Sequence, residues 1–195
     1  MKWPAASFAL LFFALFAGAC SGGPDASPKP RGYFRISFPE KKYQDYKGGC
    51  PFSFRYPAYA VIAQDSNRNA RPCWLNMDLP QFSGSVHLSF YPVTSKKIFN
   101  ELVEDAHTFV FKHTVKATAI DEANIAYPQK KVYGIYYTIN GNAASSVQFF
   151  LTDSTKHYLR GALYFNEEPR LDSIQPVLDF VKQDIDTMIH SFRWK

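Results

Sequence analysis

Short stretches of the chain alternate apolar and polar residues, which is the period of a β-strand with one face in the core. In residues 85–91, Val86 and Leu88 would point to one face and His87 to the other. The same pattern predicts further strands over residues 33–38, 51–56, 73–79, 115–121, 132–139, 145–152 and 157–165. Strands that follow one another with short connections favour an antiparallel sheet.

The last three of these strands are joined by short polar segments. Asn140 and Gly141 lie between two apolar runs, and this pair favours a tight turn with positive backbone φ angles. We therefore expect residues 132–139, 145–152 and 157–165 to form a meander of three sequential antiparallel strands.

Apolar residues spaced three and four apart predict two helices. The first would have Ser95 as its N-cap and end near His113. The second would have Asp172 or Ser173 as its N-cap. Residues 191–194 would then add a short strand at a sheet edge. The predicted fold class is α+β, a mainly antiparallel β-sheet flanked by helices.

The N-terminus has the layout of a bacterial lipoprotein signal. Lys2 precedes an apolar run over residues 8–16, and small residues lead into Cys20. The run is too short to cross a bilayer as a stable helix. We therefore expect residues 1–19 to be a removed signal peptide and the Cys20 thiol to carry acyl chains such as palmitate. Ala17 stands where such signals usually have a large aliphatic residue, so an ordinary secretory signal and a soluble periplasmic protein stay open.

Composition divides the remaining chain into a tether and one domain. Residues 20–31 contain three prolines and almost nothing apolar, which predicts a lipid-anchored flexible tether. Residues 32–195 have the length of a single α+β domain with a core of its own. The formal net charge of +5 is not gathered into a Lys/Arg stripe, so no nucleic acid is expected as a partner.

Two cysteines remain beyond the anchor, Cys50 and Cys73. The signal sends the chain to an oxidising compartment, where a pair of cysteines favours a disulfide. The alternation around each of them places both thiols on the apolar faces of their predicted strands, where they could meet. Two unbridged buried thiols are the alternative.

The sequence offers no pattern typical of catalysis. The five histidines are scattered, and Glu104 with His107 is a single Glu-x-x-His pair without the second one that a carboxylate-bridged metal site needs. No HExxH, CxxC, Gly-x-Ser-x-Gly or glycine-rich phosphate loop is present. We therefore expect no metal, no cofactor, no catalytic residue and no enzymatic activity.

Aromatic side chains on the polar strand faces are the better candidates for function. Tyr and Trp are enriched where proteins contact partners, because they bury much area at a small entropic cost. Tyr133 and Tyr137 could equally pack between the sheet and a helix. If helices covered both faces of the sheet, all of these aromatic side chains would belong to the core. The candidate partner-binding residues are Trp74, His87, Tyr91, Tyr133 and Tyr137.

A second hypothesis is a small-ligand-binding protein or an envelope enzyme in the periplasm. Asn76, His87 and Tyr91 would lie on one polar strand face, and a pocket between this face and a helix could hold a ligand. A deep polar cavity at this place would favour the pocket hypothesis, and a filled interior would exclude it.

Several longer segments carry a family resemblance. Across essentially the whole mature domain, the chain resembles the GldD family of gliding motility lipoproteins. The segments are residues 31–44 (RGYFRISFPEKKYQ), 50–57 (CPFSFRYP), 73–78 (CWLNMD), 107–122 (HTFVFKHTVKATAIDE), 140–166 (NGNAASSVQFFLTDSTKHYLRGALYFN) and the terminal SFRWK. At the level of the fold, the order of elements also resembles the Mog1/PsbP-like α/β/α sandwich.

The resemblance implies a non-enzymatic lipoprotein that is needed for surface gliding. Such a protein acts with other envelope lipoproteins and with the motor and secretion apparatus called the type IX system. The family supplies Cys20 as the lipidation site and supplies no catalytic residue. Lipoproteins exported to the surface of these bacteria have an acidic run after the cysteine, whereas residues 21–24 read SGGP. This difference favours the periplasmic face of a membrane, the outer one rather than the inner.

Overall fold

The computed structural model describes residues 36–166 and 171–195. The predicted signal peptide (1–19), the tether (20–31) and the first half of the predicted strand 33–38 lie outside the described residues. Ile36 to Phe38 are not in a strand, and the Phe38 ring instead stacks on Phe180 with a centroid distance of 4.6 Å. The prediction of a strand is therefore wrong for these three residues.

The central element is a seven-stranded sheet in which all paired neighbours run antiparallel. The strands are β4 (Val61–Gln64), β5 (Leu75–Leu79), β6 (Gly84–Pro92), β7 (Ala117–Tyr127), β8 (Val132–Gly141), β9 (Ser145–Thr152) and β10 (His157–Phe165). Their order across the sheet is β4-β5-β6-β10-β9-β8-β7. The predicted meander is confirmed as β8, β9 and β10.

Two helices pack on opposite faces of this sheet. In α1 (Lys96–Phe111), the N-cap Ser95 accepts a hydrogen bond from the Ile98 N–H, as the sequence predicts. Helix α1 buries Ala106 and Val110 in a cluster with residues of β8, β9 and β10, which are Tyr137, Ile139, Phe150 and Tyr158. The fold class is therefore α+β, with helices flanking a mainly antiparallel sheet.

The second helix, α2 (Leu171–Ser191), begins earlier than the sequence predicts. Asp172 and Ser173 lie inside the helix and are not its N-cap, and the residues before Leu171 are outside the described ones. Its buried stripe contains Leu178, Val181, Ile185, Met188 and Ile189. Directly after it, Phe192 stacks on Phe52, whose ring contacts Phe90 on the sheet face opposite α1.

The remaining strands are very short and form two separate pairs. Strand β1 (Tyr43–Asp45) pairs with β3 (Arg55–Pro57), and β11 (Arg193–Trp194) pairs with β2 (Phe52–Ser53). The predicted strand 51–56 is therefore two strands with different partners, and β1 was not predicted. The short strand predicted at residues 191–194 is confirmed as β11.

The tight turn predicted at Asn140 and Gly141 is wrong. Gly141 does have a positive φ of 98°, but it remains in β8 and pairs with Ala117 of β7. A Cβ atom at Gly141 would lie 2.8 Å from the Lys116 carbonyl oxygen, so close strand approach and not a hairpin turn requires the glycine here. The connection to β9 is made by residues 142–144.

Cys50 and Cys73 form a disulfide with their Cα atoms 5.6 Å apart. Neither cysteine lies in a strand, which differs from the predicted placement on two strand faces. Cys50 precedes β2, and Cys73 precedes β5 with a positive φ of 63°. The bridge thus joins the start of β2 to the start of β5 in the central sheet. Residues 37–195 form one compact unit.

Candidate functional site

Within residues 36–166 and 171–195, one half of the central sheet is covered by a helix on only one face. Along β5 and β6, buried residues alternate with partly exposed ones, whereas every residue of β9 is buried. Helix α1 packs on β8, β9 and β10, so it leaves the same face of β5 and β6 open. We call this surface the open half. Its partly exposed side chains are Asn76, Asp78, Ser85, His87, Ser89, Arg160 and Tyr164.

Hydrogen bonds and ring contacts fix the side chains in the centre of the open half. The His87 Nδ1 and Asn76 Oδ1 atoms are 2.7 Å apart, across directly paired positions of β6 and β5. The Tyr164 ring meets the His87 ring edge to face with a centroid distance of 5.4 Å. Because strands hold these residues, the open half presents a preorganised polar and aromatic surface.

A buried amide lies beside the open half, next to a cation. The Gln148 side chain is buried, and its Oε1 accepts a hydrogen bond from the Arg160 guanidinium. The Gln148 Nε2 group has no hydrogen-bond partner among the described residues. Arg160 also lies over the Phe109 ring of α1, 4.8 Å from its centroid. Burial, with a smaller effect of Arg160, lowers the pKa of His113.

Two of the predicted partner-binding residues, Trp74 and Tyr91, are in contact, a third lies on the same strand face, and the other two are separated from them. Trp74 and Tyr91 meet edge to face at 5.5 Å, and the Trp74 indole N–H donates to the Phe90 carbonyl oxygen at 3.0 Å. His87 lies on the same strand face as Tyr91. This Trp74–Tyr91 pair borders the open half.

The other two residues lie on the same sheet face but under or beyond α1. Tyr137 is only 1% exposed, and burial raises its pKa to about 12. It is therefore a core residue, and it does not offer a contact surface. Tyr133 is half-buried and lies in register with Tyr91 across the sheet. The two residues are three strands apart, a distance of about 14 Å.

A buried carboxylate, that of Asp184 in α2, was not among the predicted site residues. Its side chain is 0% exposed, and its Oδ1 atom lies 2.7 Å from the Lys41 Nζ and 2.8 Å from the Tyr43 hydroxyl. The Tyr59 hydroxyl donates to Oδ2. Burial and the hydrogen bond to Asp184 raise the pKa of Tyr59.

This cluster attaches the segment around β1 to α2. Lys41 also donates to the Phe180 carbonyl oxygen at 2.7 Å and lies over the Phe180 ring. The signal was present in the sequence, because Asp184 falls on the apolar stripe of α2, three residues after Val181 and four before Met188. An ionisable residue at such a position needs a buried partner.

A second carboxylate organises the β9–β10 hairpin. The Asp153 Oδ1 accepts hydrogen bonds from the backbone N–H groups of the three residues Thr155, Lys156 and His157, and Oδ2 lies 2.8 Å from the His157 Nδ1. Burial opposes the charged form, but these hydrogen bonds outweigh it and lower the pKa of Asp153 to about 2. The Asp–His pair therefore shapes a loop.

Replacement of Asp153 by asparagine is expected to destabilise the fold in a pH-dependent way. Because the pKa of Asp153 is lower in the folded chain than its ordinary value of 3.8, its charge stabilises the fold above pH 3.8 by about 2 kcal/mol. This stabilisation is lost as the pH falls towards 2. Urea unfolding of wild type and variant at several pH values measures the difference, which should be largest at neutral pH and small at pH 2.

The exposed Asp45 supplies the matched control for this prediction. Its replacement by asparagine should change the unfolding free energy by less than about 0.5 kcal/mol at every pH. A difference between wild type and Asp153→Asn that stays constant from neutral pH to pH 2 would contradict the assigned role of the charge.

A cleft of about 630 Å³ lies beside β1 and β3, where Lys47, Tyr56 and Ile62 border it. It does not include Asn76, His87 or Tyr91, on which the pocket hypothesis rests. Among the described residues, no group of three or more His, Cys, Asp or Glu side chains could hold a metal ion. In the same part of the chain, neither helix is long and apolar enough to span a membrane.

The chain is similar to a solved structure. This is the solution structure of cyanobacterial PsbP (CyanoP) from Synechocystis sp. PCC 6803, with a TM-score of 0.48 and 15% sequence identity. The similarity covers 83% of this chain and 98% of that chain. No protein with a curated description matches the chain. A family model described as gliding motility lipoprotein GldD matches residues 23–194, and the chain therefore belongs to the GldD family of gliding motility lipoproteins.

Proposed function

We propose that this lipoprotein is a non-catalytic interaction or assembly module of the gliding machinery, associated with the type IX secretion apparatus. It works by contacting other gliding or secretion proteins of the envelope. The open half is the observation that carries this proposal, because it is a rigid, half-exposed polar and aromatic surface on a sheet whose other face is buried. Membership of the family indicates that these contacts serve gliding motility.

The physical chemistry of the open half suits a protein contact. His87 and Asn76 already hold each other in place, so little side-chain freedom is lost when a partner covers them. Trp74 and Tyr91 at its border are residue types that often dominate binding energy. Reversible interfaces are about as polar as the rest of a protein surface and are enriched in aromatic residues, and the open half with its border has both properties.

The proposed attachment is a lipid anchor at Cys20, followed by a tether over residues 20–31. Two or more acyl chains on the cysteine would hold the chain on its membrane for long times, since each buried methylene contributes about 0.8 kcal/mol. The absence of acidic residues in positions 21–24 supports the periplasmic face of the outer membrane. The tether then allows the domain to reach partners near that surface.

Replacement of Ser89 by glutamate is expected to abolish or strongly impair gliding without unfolding the protein. Ser89 lies in the middle of the open half and pairs across strands with Arg160, so the fold can accept a carboxylate there. A charged side chain in the centre of an interface should weaken the partner contact by about tenfold or more. Colony spreading and recovery of crosslinked envelope partners from cells measure the effect.

The matched control is glutamate at Gln183, which is exposed on α2 away from the open half. This variant should glide like wild type. Normal gliding by Ser89→Glu cells with normal amounts of membrane-bound protein would count against the open half as the contact surface.

A further inference from the structure

The C-terminal end of α1 and the turn after it expose an unusual number of apolar side chains. Val115 is 90% exposed, Phe109 41% and Phe111 38%, while Val110 between the two phenylalanines is buried in the core. These residues belong to a short segment, FVFKHTVK, over residues 109–116. We call its exposed part the helix tip, consisting of Phe109, Phe111, Lys112, Val115 and Lys116.

The charge of the helix tip is positive. Lys112 and Lys116 are exposed, and the Lys112 Nζ lies 5.0 Å from the centroid of the Phe109 ring. Neither lysine takes part in an ion pair among the described residues. The nearest acidic residues along α1 are Glu104 and Asp105, about one turn before Phe109. The tip therefore combines protruding apolar groups with uncompensated cations.

We propose that the helix tip contacts the surface of an anionic lipid bilayer. Aromatic rings and aliphatic side chains are favoured at the level of the lipid headgroups, and neighbouring lysines are attracted to anionic lipids. Val115 is 90% exposed and lies between the exposed Lys112 and Lys116, and this combination suits an anionic lipid surface. The inference is independent of the open half, so its failure would leave the proposed partner contact untouched.

The contact would fix the orientation of the domain on its membrane. Binding through so few side chains is weak by itself, but a chain held at the membrane supplies a high effective concentration. Arg160 contacts the tip through the Phe109 ring and also belongs to the open half. A tip on the bilayer therefore holds the open half close to the lipid surface, where the partner would need to present its binding site.

Fluorescence quenching in vesicles tests this inference. The full chain is purified from native membranes and reconstituted into phosphatidylethanolamine–phosphatidylglycerol vesicles that contain brominated lipid. A dye is attached at Thr114→Cys in the tip, or at Asn100→Cys, exposed nearer the N-terminal end of α1, as the control position. We expect strong quenching at position 114, weak quenching at position 100, and loss of the difference in neutral phosphatidylcholine vesicles.

Two double variants distinguish an effect of the helix tip from an effect of the net charge of the protein. Lys112→Ala with Lys116→Ala should shift the equilibrium between bound and free tip about 25-fold towards the free state, because each lysine is worth about fivefold near an anionic surface. Lys96→Ala with Lys97→Ala removes the same charge from the other end of α1 and should change the quenching little. Both pairs are exposed, so thermal unfolding should be unaffected.

Three results would overturn the inference. Equal quenching at positions 114 and 100 would show that the tip does not meet lipid. Equal losses for the two lysine pairs would show attraction by net charge alone. Recovery of the chain only as soluble protein, with no membrane-bound fraction, would show that the helix tip does not contact a bilayer.

Discussion

Replacement of Asp184 by alanine is expected to lower the free energy of unfolding by about 4 kcal/mol, because it leaves several partners of a buried charge unpaired. The carboxylate is 0% exposed and accepts hydrogen bonds from Lys41, Tyr43 and Tyr59. Without it, the two hydroxyl donors lose an acceptor, and the Lys41 cation loses its counter-charge beside the Phe180 ring. Urea unfolding followed by fluorescence measures the loss.

The same variant should release the segment around β1 from α2 before the rest of the domain unfolds. Limited proteolysis is expected to cut residues 37–46 earlier than in the wild type, since their attachment depends on Asp184. Asp179→Ala, on an exposed turn of the same helix, is the control and should cost less than about 0.5 kcal/mol. A loss under about 1 kcal/mol for Asp184→Ala would show that the cluster contributes little to stability.

Replacement of Cys20 by serine is expected to abolish gliding and to remove the covalent lipid altogether. A serine hydroxyl is not acylated by the pathway that modifies lipoprotein cysteines, so no chain methylenes can be buried in the membrane. Metabolic labelling with a palmitate analogue should mark the wild type and leave the variant unmarked. Fractionation of cells should show a corresponding loss of the mature, membrane-bound form.

Ser21→Ala is the matched control for the anchor, because it changes the neighbouring residue and keeps the thiol. This variant should be labelled and fractionate like wild type. An unlabelled wild-type chain found in the soluble periplasmic fraction would instead support an ordinary secretory signal, the alternative that Ala17 leaves open.

Long elements with a clear period could be predicted from the sequence. The start of α1 could be predicted because Ser95 directly precedes apolar residues spaced three and four apart. A serine at this position is typical of an N-cap, since its hydroxyl accepts a hydrogen bond from a free backbone N–H of the first turn. The strands β8, β9 and β10 are predominantly apolar segments of eight residues or more with short polar connections, which is enough to define the meander.

Among the short elements, β11 was predicted but β1 and β4 were not, because three or four residues contain too little of a period. β1 consists of the polar residues Tyr43–Asp45, and only tertiary contacts hold it against β3. The segment PFSFRY contains a single alternating pattern, yet its two halves bond to different strands. The Gly141 position was misjudged for a related reason, since a positive φ also suits a close approach between strands.

For the candidate site, the alternation along a strand predicted to which sheet face each side chain points. It did not predict whether a helix covers that side chain. Tyr91 and Tyr137 point to the same side of the sheet, and they differ because α1 covers only Tyr137 fully. The position of a helix across a sheet is a tertiary property that no local pattern contains. Asp184 was not predicted because the apolar period of α2 marks its buried face but does not identify the distant partners of a polar residue on that face.

Site-specific photocrosslinking in gliding cells tests the central claim, that the chain acts by contact through the open half. A photoreactive residue is placed at Ser89 in the open half and, as the control, at Gln183 on the exposed side of α2. The account predicts a crosslink from position 89 to another gliding or secretion protein of the envelope and none from position 183. Absence of any crosslink from position 89, in cells that glide with normal amounts of the protein, would contradict it.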